Sequence, residues 1–311
     1  MTNLLPTIFG VFGYLLLGFA LKKINIISDK LLNIYNYISF NILLPIALIN
    51  NFWKITFPDL IIHQLILTFF GSGIIIFFIG FYISKKFFNF KADDSALFGL
   101  GSCFGNSVAF GIPLMYSLLG PIDVMPYMIL VLFHGFFHFT YTTLIIEGYR
   151  NRNHSNLKML FKIIAGLGKN IVLFGIFIGL ILNYTQTPFP HYLEIILTPI
   201  SNIALPAVLL ASGLALAGFK IITDLKHSFI LTSLKNFLQP LITFLVAKYF
   251  FSMSPLLVFI VTMAAALPSG TQTYYFSYRY NSLQKIISAN ILLSTFISFF
   301  TLSFLIIIFD Y

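Results

Sequence analysis

Apolar segments of about twenty residues recur ten times along this chain, and nearly all of its charge sits in the short breaks between them. A segment of that length crosses the hydrocarbon core of a bilayer as a helix. The ten segments are 3–21, 31–52, 60–84, 93–119, 123–147, 169–184, 191–218, 226–251, 254–280 and 284–308. Composition excludes a soluble core. Of 311 residues, 59% are hydrophobic and only 9% charged, with mean hydropathy +0.94, whereas about a quarter are charged in a soluble domain. The alternation that a membrane β-barrel needs is absent. The expected fold class is therefore an all-α membrane protein with ten transmembrane helices.

The formal net charge is +9, but its placement points to membrane topology and away from nucleic acid. Lys22, Lys23 and Lys30 follow the first segment, and Lys85, Lys86 and Lys91 the third. Arg150, Arg152, Lys158, Lys162 and Lys169 follow the fifth, Lys220 and Lys226 the seventh, and Arg279 and Lys285 the ninth. The intervening loops hold only Lys54 and Lys248. This bias places the odd-numbered loops in the cytoplasm and both termini outside, as in a multi-pass protein of the cell membrane. The first segment is expected to stay as a span, since no basic residue precedes it and no small-residue cleavage site follows it.

A basic loop at 148–168 divides the chain into 1–147 and 169–311, with five segments in each part. An odd number per half inverts the second half relative to the first, so any repeat is an inverted repeat. Asn41-Ile-Leu-Leu-Pro45 in the second segment matches Asn202-Ile-Ala-Leu-Pro206 in the seventh, its counterpart. Pro113 in the fourth segment likewise matches Pro268 in the ninth.

The fourth and ninth segments are also where a continuous helix is hardest to build. In the fourth, Gly99, Gly101, Gly105 and Gly111 surround Asn106 and lead into Ile112 and Pro113. In the ninth, Pro268, Ser269 and Gly270 precede Thr271, Gln272 and Thr273. Glycine loosens a helix and proline leaves a carbonyl unpaired. Unwound backbone survives at membrane depth only when buried in protein or lining a wet cavity. Broken helices in corresponding positions of two halves mark a transporter's binding site, and half-helix N-termini favour an anion. The candidate substrate-binding residues are Asn106, Gly111, Ile112, Pro113, Pro268, Ser269, Gly270 and Gln272, with Asn41 and Asn202 from the repeated motif.

Lys235 lies about two turns inside the eighth segment. It either snorkels to the interface or serves as the charge partner of an anion. His134 and His138 share one helix face; a packed and satisfied pair is the expectation, with a proton-coupling role as the alternative. No Asp or Glu occupies a mid-membrane position, which disfavours cation antiport. Trp53, Tyr82, Tyr127 and Tyr192 fit interfacial anchors. The single cysteine, Cys103, excludes an internal disulfide and fits a small packing residue. No phosphate-binding loop or metal-spaced cluster occurs, so no cofactor, metal or direct use of ATP is expected.

"GNSVAFGIPLMYSLLG" at 105–120 resembles the fourth span of the auxin efflux carrier family, whose bacterial members include malonate and malate permeases. "NIALPAVLLASGLALAG" at 202–218 is similar to its seventh span, "FGYLLLGFALKKINII" at 12–27 to its first and "ISANILLSTFISFFTL" at 287–302 to its last. Ser269, Gln272, Tyr274 and Tyr275 depart from the small residues usual in its ninth span. The resemblance implies a 5+5 inverted repeat related in fold to sodium/proton antiporters and bile-acid transporters. Helices 1, 2, 6 and 7 would form a scaffold, often homodimeric, and helices 3–5 and 8–10 a mobile transport domain. A small organic anion, such as a mono- or dicarboxylate, would bind where helices four and nine cross, with Asn106 and Pro113 carried over by motif. The function expected is secondary transport by alternating access, with no enzymatic activity. Two alternatives stay open: a binding or sensor protein of the same fold, and a membrane enzyme built on His134, His138 and Lys235.

Overall fold

In a computed structural model the described residues are 5–54, 62–150, 170–219 and 224–309. The basic stretch 151–169, with Arg152, Lys158, Lys162 and Lys169, lies outside them, as does Lys220. The described chain is helical throughout. Helix α1 (Leu5–Lys23) ends at its paired lysines. Ser28 then caps the next helix, its hydroxyl accepting from Leu31 N at 3.3 Å. That helix is α2 (Asp29–Ile38), a π-turn (Ser39–Leu43) and α3 (Leu44–Trp53) in series. Helix α4 is Ile62–Phe87, α5 is Ala92–Cys103, α6 is Ile112–Asp123 and α7 is Met125–Arg150. Helix α8 (Ile171–Tyr184) is capped by Asn170, and α9 is His191–Leu216. Helices α10 (Leu225–Ser233) and α11 (Gln239–Leu245) are joined through a π-turn at Leu234–Leu238. Helices α12 (Pro255–Ala266), α13 (Gln272–Tyr280) and α14 (Gln284–Phe309) complete the chain.

Among the described residues six helical stretches are long and apolar enough to cross a membrane: Asp29–Trp53, Ile62–Phe87, Met125–Arg150, His191–Leu216, Leu225–Phe250 and Gln284–Phe309. Shorter apolar helices occupy Ser107–Asp123, Ile171–Tyr184 and Pro255–Ala266. This is an integral membrane protein. Its outward apolar side chains, such as Phe78, Phe177 and Phe304, are the surface a bilayer would cover.

Proline explains three irregularities in these helices. A five-residue π-turn ends two residues before Pro45, Pro113 and Pro240 in turn. A proline ring collides with the carbonyl four residues earlier and offers it no N–H. Widening the turn to an i→i+5 pattern re-satisfies the ladder without ending the helix.

Two helix pairs approach backbone to backbone because glycine removes the Cβ. A β-carbon on Gly18 of α1 would collide with the Leu210 carbonyl of α9, and one on Gly213 of α9 with the Leu15 carbonyl of α1. On α8, a β-carbon at Gly175 would lie 2.9 Å from Pro45 O, and Gly179 abuts Phe52 of α3 in the same way. Gly213→Val is therefore expected to force α1 and α9 apart, costing about 1–3 kcal/mol by overpacking. Thermal unfolding in detergent, with a drop of several degrees, is the check. At the lysine-rich ends, Arg150 pairs with Asp93 at 2.7 Å and donates to Tyr280 O at 3.1 Å, fastening α5, α7 and α13 together.

Candidate functional site

Helices α5 and α12 both stop in the protein interior, and the chain runs unwound through Phe104–Asn106 and Leu267–Thr271 before helix resumes. The two unwound segments pair as a short antiparallel bridge, Gly105 opposite Ser269. Asn106 N donates to Pro268 O at 2.7 Å and Gly270 N to Phe104 O at 2.9 Å. Each break thus supplies partners for the other's stranded backbone groups, which is what burial without water demands. Gly270 is required for this approach: a β-carbon there would stand 2.6 Å from the Phe104 ring and 2.9 Å from Gly105 O.

Helices α5 and α12 bring two C-terminal ends to the bridge, each equivalent to about half a negative charge. Lys235 answers them. It is fully buried, and its Nζ donates to Ala265 O and Leu267 O, both at 2.7 Å. A β-carbon on Gly105 would lie 3.6 Å from the same nitrogen. Of the two sequence expectations for Lys235, snorkelling does not hold, because the π-turn at Leu234–Leu238 turns the side chain inward. Its hydrogen bonds serve helix carbonyls of its own chain. Gln239, one turn on, donates Nε2 to Cys103 O at 2.9 Å and so caps α5.

The opposite ends are left open. Helix restarts after Asn106 and after Thr271, and neither residue makes a side-chain cap. Asn106 is 4% exposed, and its Oδ1 has no partner; Gln272 Oε1 is also buried without one. Two N-terminal ends with uncapped N–H groups therefore begin within three residues of the bridge. Such ends attract anions. Gly111 closes the Ser107–Gly111 π-turn, and Ile112 and Pro113 open the helix that follows. They are buried, with Gly111 pressed against the Tyr127 hydroxyl.

The model of the family described as "Membrane transport protein", that of the auxin efflux carriers, matches residues 4–306. The chain belongs to the auxin efflux carrier family. No curated protein matches it in a sequence comparison. Membership assigns this bundle to membrane transport.

Within this family member, the other residues marked from the sequence fall in different places. Asn202 is exposed and lines a cavity of about 820 Å³ enclosed by α1, α3, α6 and α9. Asn41 is not brought to the crossover or that cavity; it sits exposed, its Nδ2 bonded back to Tyr37 O at 3.2 Å. His134 and His138 are buried between Phe69, Phe70 and Phe104, as a packed pair should be. His138 Nδ1 lies 2.9 Å from His134 O, and His134 faces the Gly105 carbonyl of the bridge, while Nε2 of His138 has no partner. Tyr127 is buried rather than interfacial, donating to Ser107 O at 2.5 Å. Among the described residues no group of three His, Cys, Asp or Glu is placed to hold a metal ion.

Sequence reading missed the supports on α14. Asn290 is fully buried; its Nδ2 donates to Ser269 Oγ at 3.0 Å, and its Oδ1 accepts from Thr232 at 2.8 Å. Ser294 Oγ accepts from Ser269 N at 2.9 Å. The available signal was a run of Asn and Ser at four-residue spacing, Asn290-x-x-x-Ser294-x-x-x-Ser298, in an otherwise apolar helix.

Proposed function

We propose that this member of the family is a secondary carrier that moves a small organic anion across the membrane by alternating access. The single observation that carries this reading is the bridged pair of interrupted helices with capped C-terminal ends and uncapped N-terminal ends. A resident ammonium answers the negative ends, leaving the positive ends for a substrate of opposite charge. Asn106, Gln272 and the backbone N–H groups at 107–109 and 271–272 would hold the carboxylate, with Pro113, Pro268, Ser269 and Gly270 shaping the break; Thr273 N is already engaged by Gly270 O.

The same reading takes the chain as a ten-helix 5+5 inverted repeat with both termini outside. Two features support it besides the matching prolines. Both breaks fall in counterpart segments, and the glycine-mediated packing of α1 on α9 has its counterpart in α8 on α3. Exchange of the halves maps one pair onto the other. Those four helices would be the scaffold against which the crossover moves, and a homodimer through that scaffold is expected from the family likeness. A proton-coupled version of the reading rests on His134 and His138, whose rings stand beside Phe104 of the bridge.

Asn106→Ala tests the reading, because Asn106 Nδ2 is the side-chain group that can donate to a carboxylate. Its Oδ1 bonds nothing in the empty protein, so its loss should cost the fold little. Loss of a hydrogen bond to a charged ligand predicts about tenfold to hundredfold weaker uptake. Uptake of labelled carboxylates into proteoliposomes measures it, with insertion and melting temperature as controls. Wild-type uptake by the variant would remove the crossover as the substrate site.

A further inference from the structure

The cavity on the face opposite the lysine-rich loops is not explained by the crossover, which starts deeper in the bundle. It lies between the end of α3, the first half of α9 and the outer half of α6, and ten of its fourteen lining residues carry a polar group. Tyr116 and Ser117 line it one turn past Pro113, so it opens along the helix that restarts at the bridge. Its walls are tied together by polar contacts. Asn50 Nδ2 donates to Ser201 Oγ at 3.0 Å, joining α3 to α9, and Tyr116 donates to Asn51 Oδ1 at 3.2 Å, joining α6 to α3. Two buried polar atoms of lining residues, Asn50 Oδ1 and Thr198 Oγ1, have no partner. The Thr198 hydroxyl can turn to donate to a carboxylate, whereas Asn50 Oδ1 can only accept, from a ligand hydroxyl or a water.

Among the described residues only two of those lining the cavity are charged. Lys54 and Glu194 pair at 3.0 Å across the mouth, both part exposed, with Lys54 also 4.1 Å over the Phe189 ring. Neutral amides and hydroxyls inside with one lysine at the rim suit a small polar carboxylate. An aromatic acid would strand several wall groups unpaired.

We propose that this cavity is an outer capture site for a small polar carboxylate. Lys54 draws the anion in, Glu194 competes for Lys54 as a built-in counter-ion, and Thr198 and Asn202 bond the ligand before it passes along α6 to the bridge. The proposal rests on the carrier reading above and adds to it a second site, its residues and its selectivity for polar over aromatic acids. Since α6 belongs to the interrupted helix while α3 and α9 do not, a ligand here touches both and its binding is sensed by both.

The test separates capture from mere structure, because two variants break the same ion pair. In proteoliposomes of the full chain, uptake from the cavity-facing side is measured against lactate, propionate, malate, succinate and benzoate. Lys54→Gln should weaken apparent affinity about twofold to fivefold and flatten its salt dependence. Glu194→Gln, which frees Lys54, should tighten it by a similar factor. A structural role predicts movement in the same direction for both. Thr198→Val should erase a preference of about fivefold for each hydroxylated acid over its unsubstituted partner. If the wild type carries carboxylates but the two ion-pair variants shift affinity together or not at all, the capture site is refuted and the crossover reading stands. Preference for benzoate refutes the capture site's selectivity. If the wild type carries none of the five, the carrier reading itself fails.

Discussion

Lys235→Met is expected to abolish transport and to lower stability by about 2–4 kcal/mol. Methionine fills nearly the same space, so packing changes little and the loss isolates the charge. Two opposing terms decide the sign. Removing a buried ammonium relieves its desolvation, worth several kcal/mol per ion. Against that, Ala265 O and Leu267 O lose donors at 2.7 Å, at about 1–3 kcal/mol for each buried group left unpaired. Two helix ends of about half a negative charge then face each other, adding about 1 kcal/mol of repulsion at an effective dielectric of 20. The ammonium already has two short charge-assisted bonds, which offset most of its desolvation, so loss of the cap wins. Lys235→Arg should also fail, since a planar fork does not replace a point charge in a site with no exposure. Lys235→Ala offers the sharper check, because the space it opens can admit a small alkylammonium ion. Recovery of uptake with ethylammonium in Lys235→Ala, and none in Lys235→Met, is the result expected. Wild-type transport by Lys235→Met would show that the helix ends need no cap.

The helices were legible because each apolar run has to form its hydrogen bonds within itself in a bilayer, and the breaks were legible because glycine clusters with Asn106 in one segment and Pro268 and Gly270 interrupt the ladder in the other. Facing was harder to read. In a helix that is apolar all round, no stripe marks the buried side. Asn41 and Asn202 show the consequence. The same Asn-x-x-x-Pro motif puts one amide back on its own helix at Tyr37 O and the other at a cavity wall. Neighbouring helices make that difference, and a local motif carries no record of them. Lys235 was opaque for the same reason. Its distance from a segment end was readable, but the carbonyls it binds lie 30 and 32 residues away, at a break whose position in space only the fold defines. Tyr127 looked interfacial because it opens a segment, yet it is buried against the π-turn at Ser107–Gly111.

Asn290→Leu is expected to reduce transport at least tenfold and to cost about 2 kcal/mol, although Asn290 lies in a different helix from either break. Leucine matches the volume and suits an apolar helix, so the cost comes from the bonds. Asn290 Nδ2 holds Ser269 Oγ at 3.0 Å and reaches toward Gly101 O at 3.5 Å, while Oδ1 accepts from Thr232 at 2.8 Å. One amide therefore ties the unwound segment of one interrupted helix to the last turns of the other and to α10. Hydrogen bonds between membrane helices average about 0.6 kcal/mol because the unfolded chain finds other partners. This node should exceed that average, since it is fully buried and its loss leaves two hydroxyls unpaired at once. Thr232→Val removes only one of the bonds and should cost less. In the double variant the effects should fall short of their sum by about 0.5–2 kcal/mol, the signature of residues sharing a contact. Thermal or denaturant unfolding of the four proteins measures the coupling. Simple additivity would mean that the bond between Thr232 and Asn290 contributes nothing to the node.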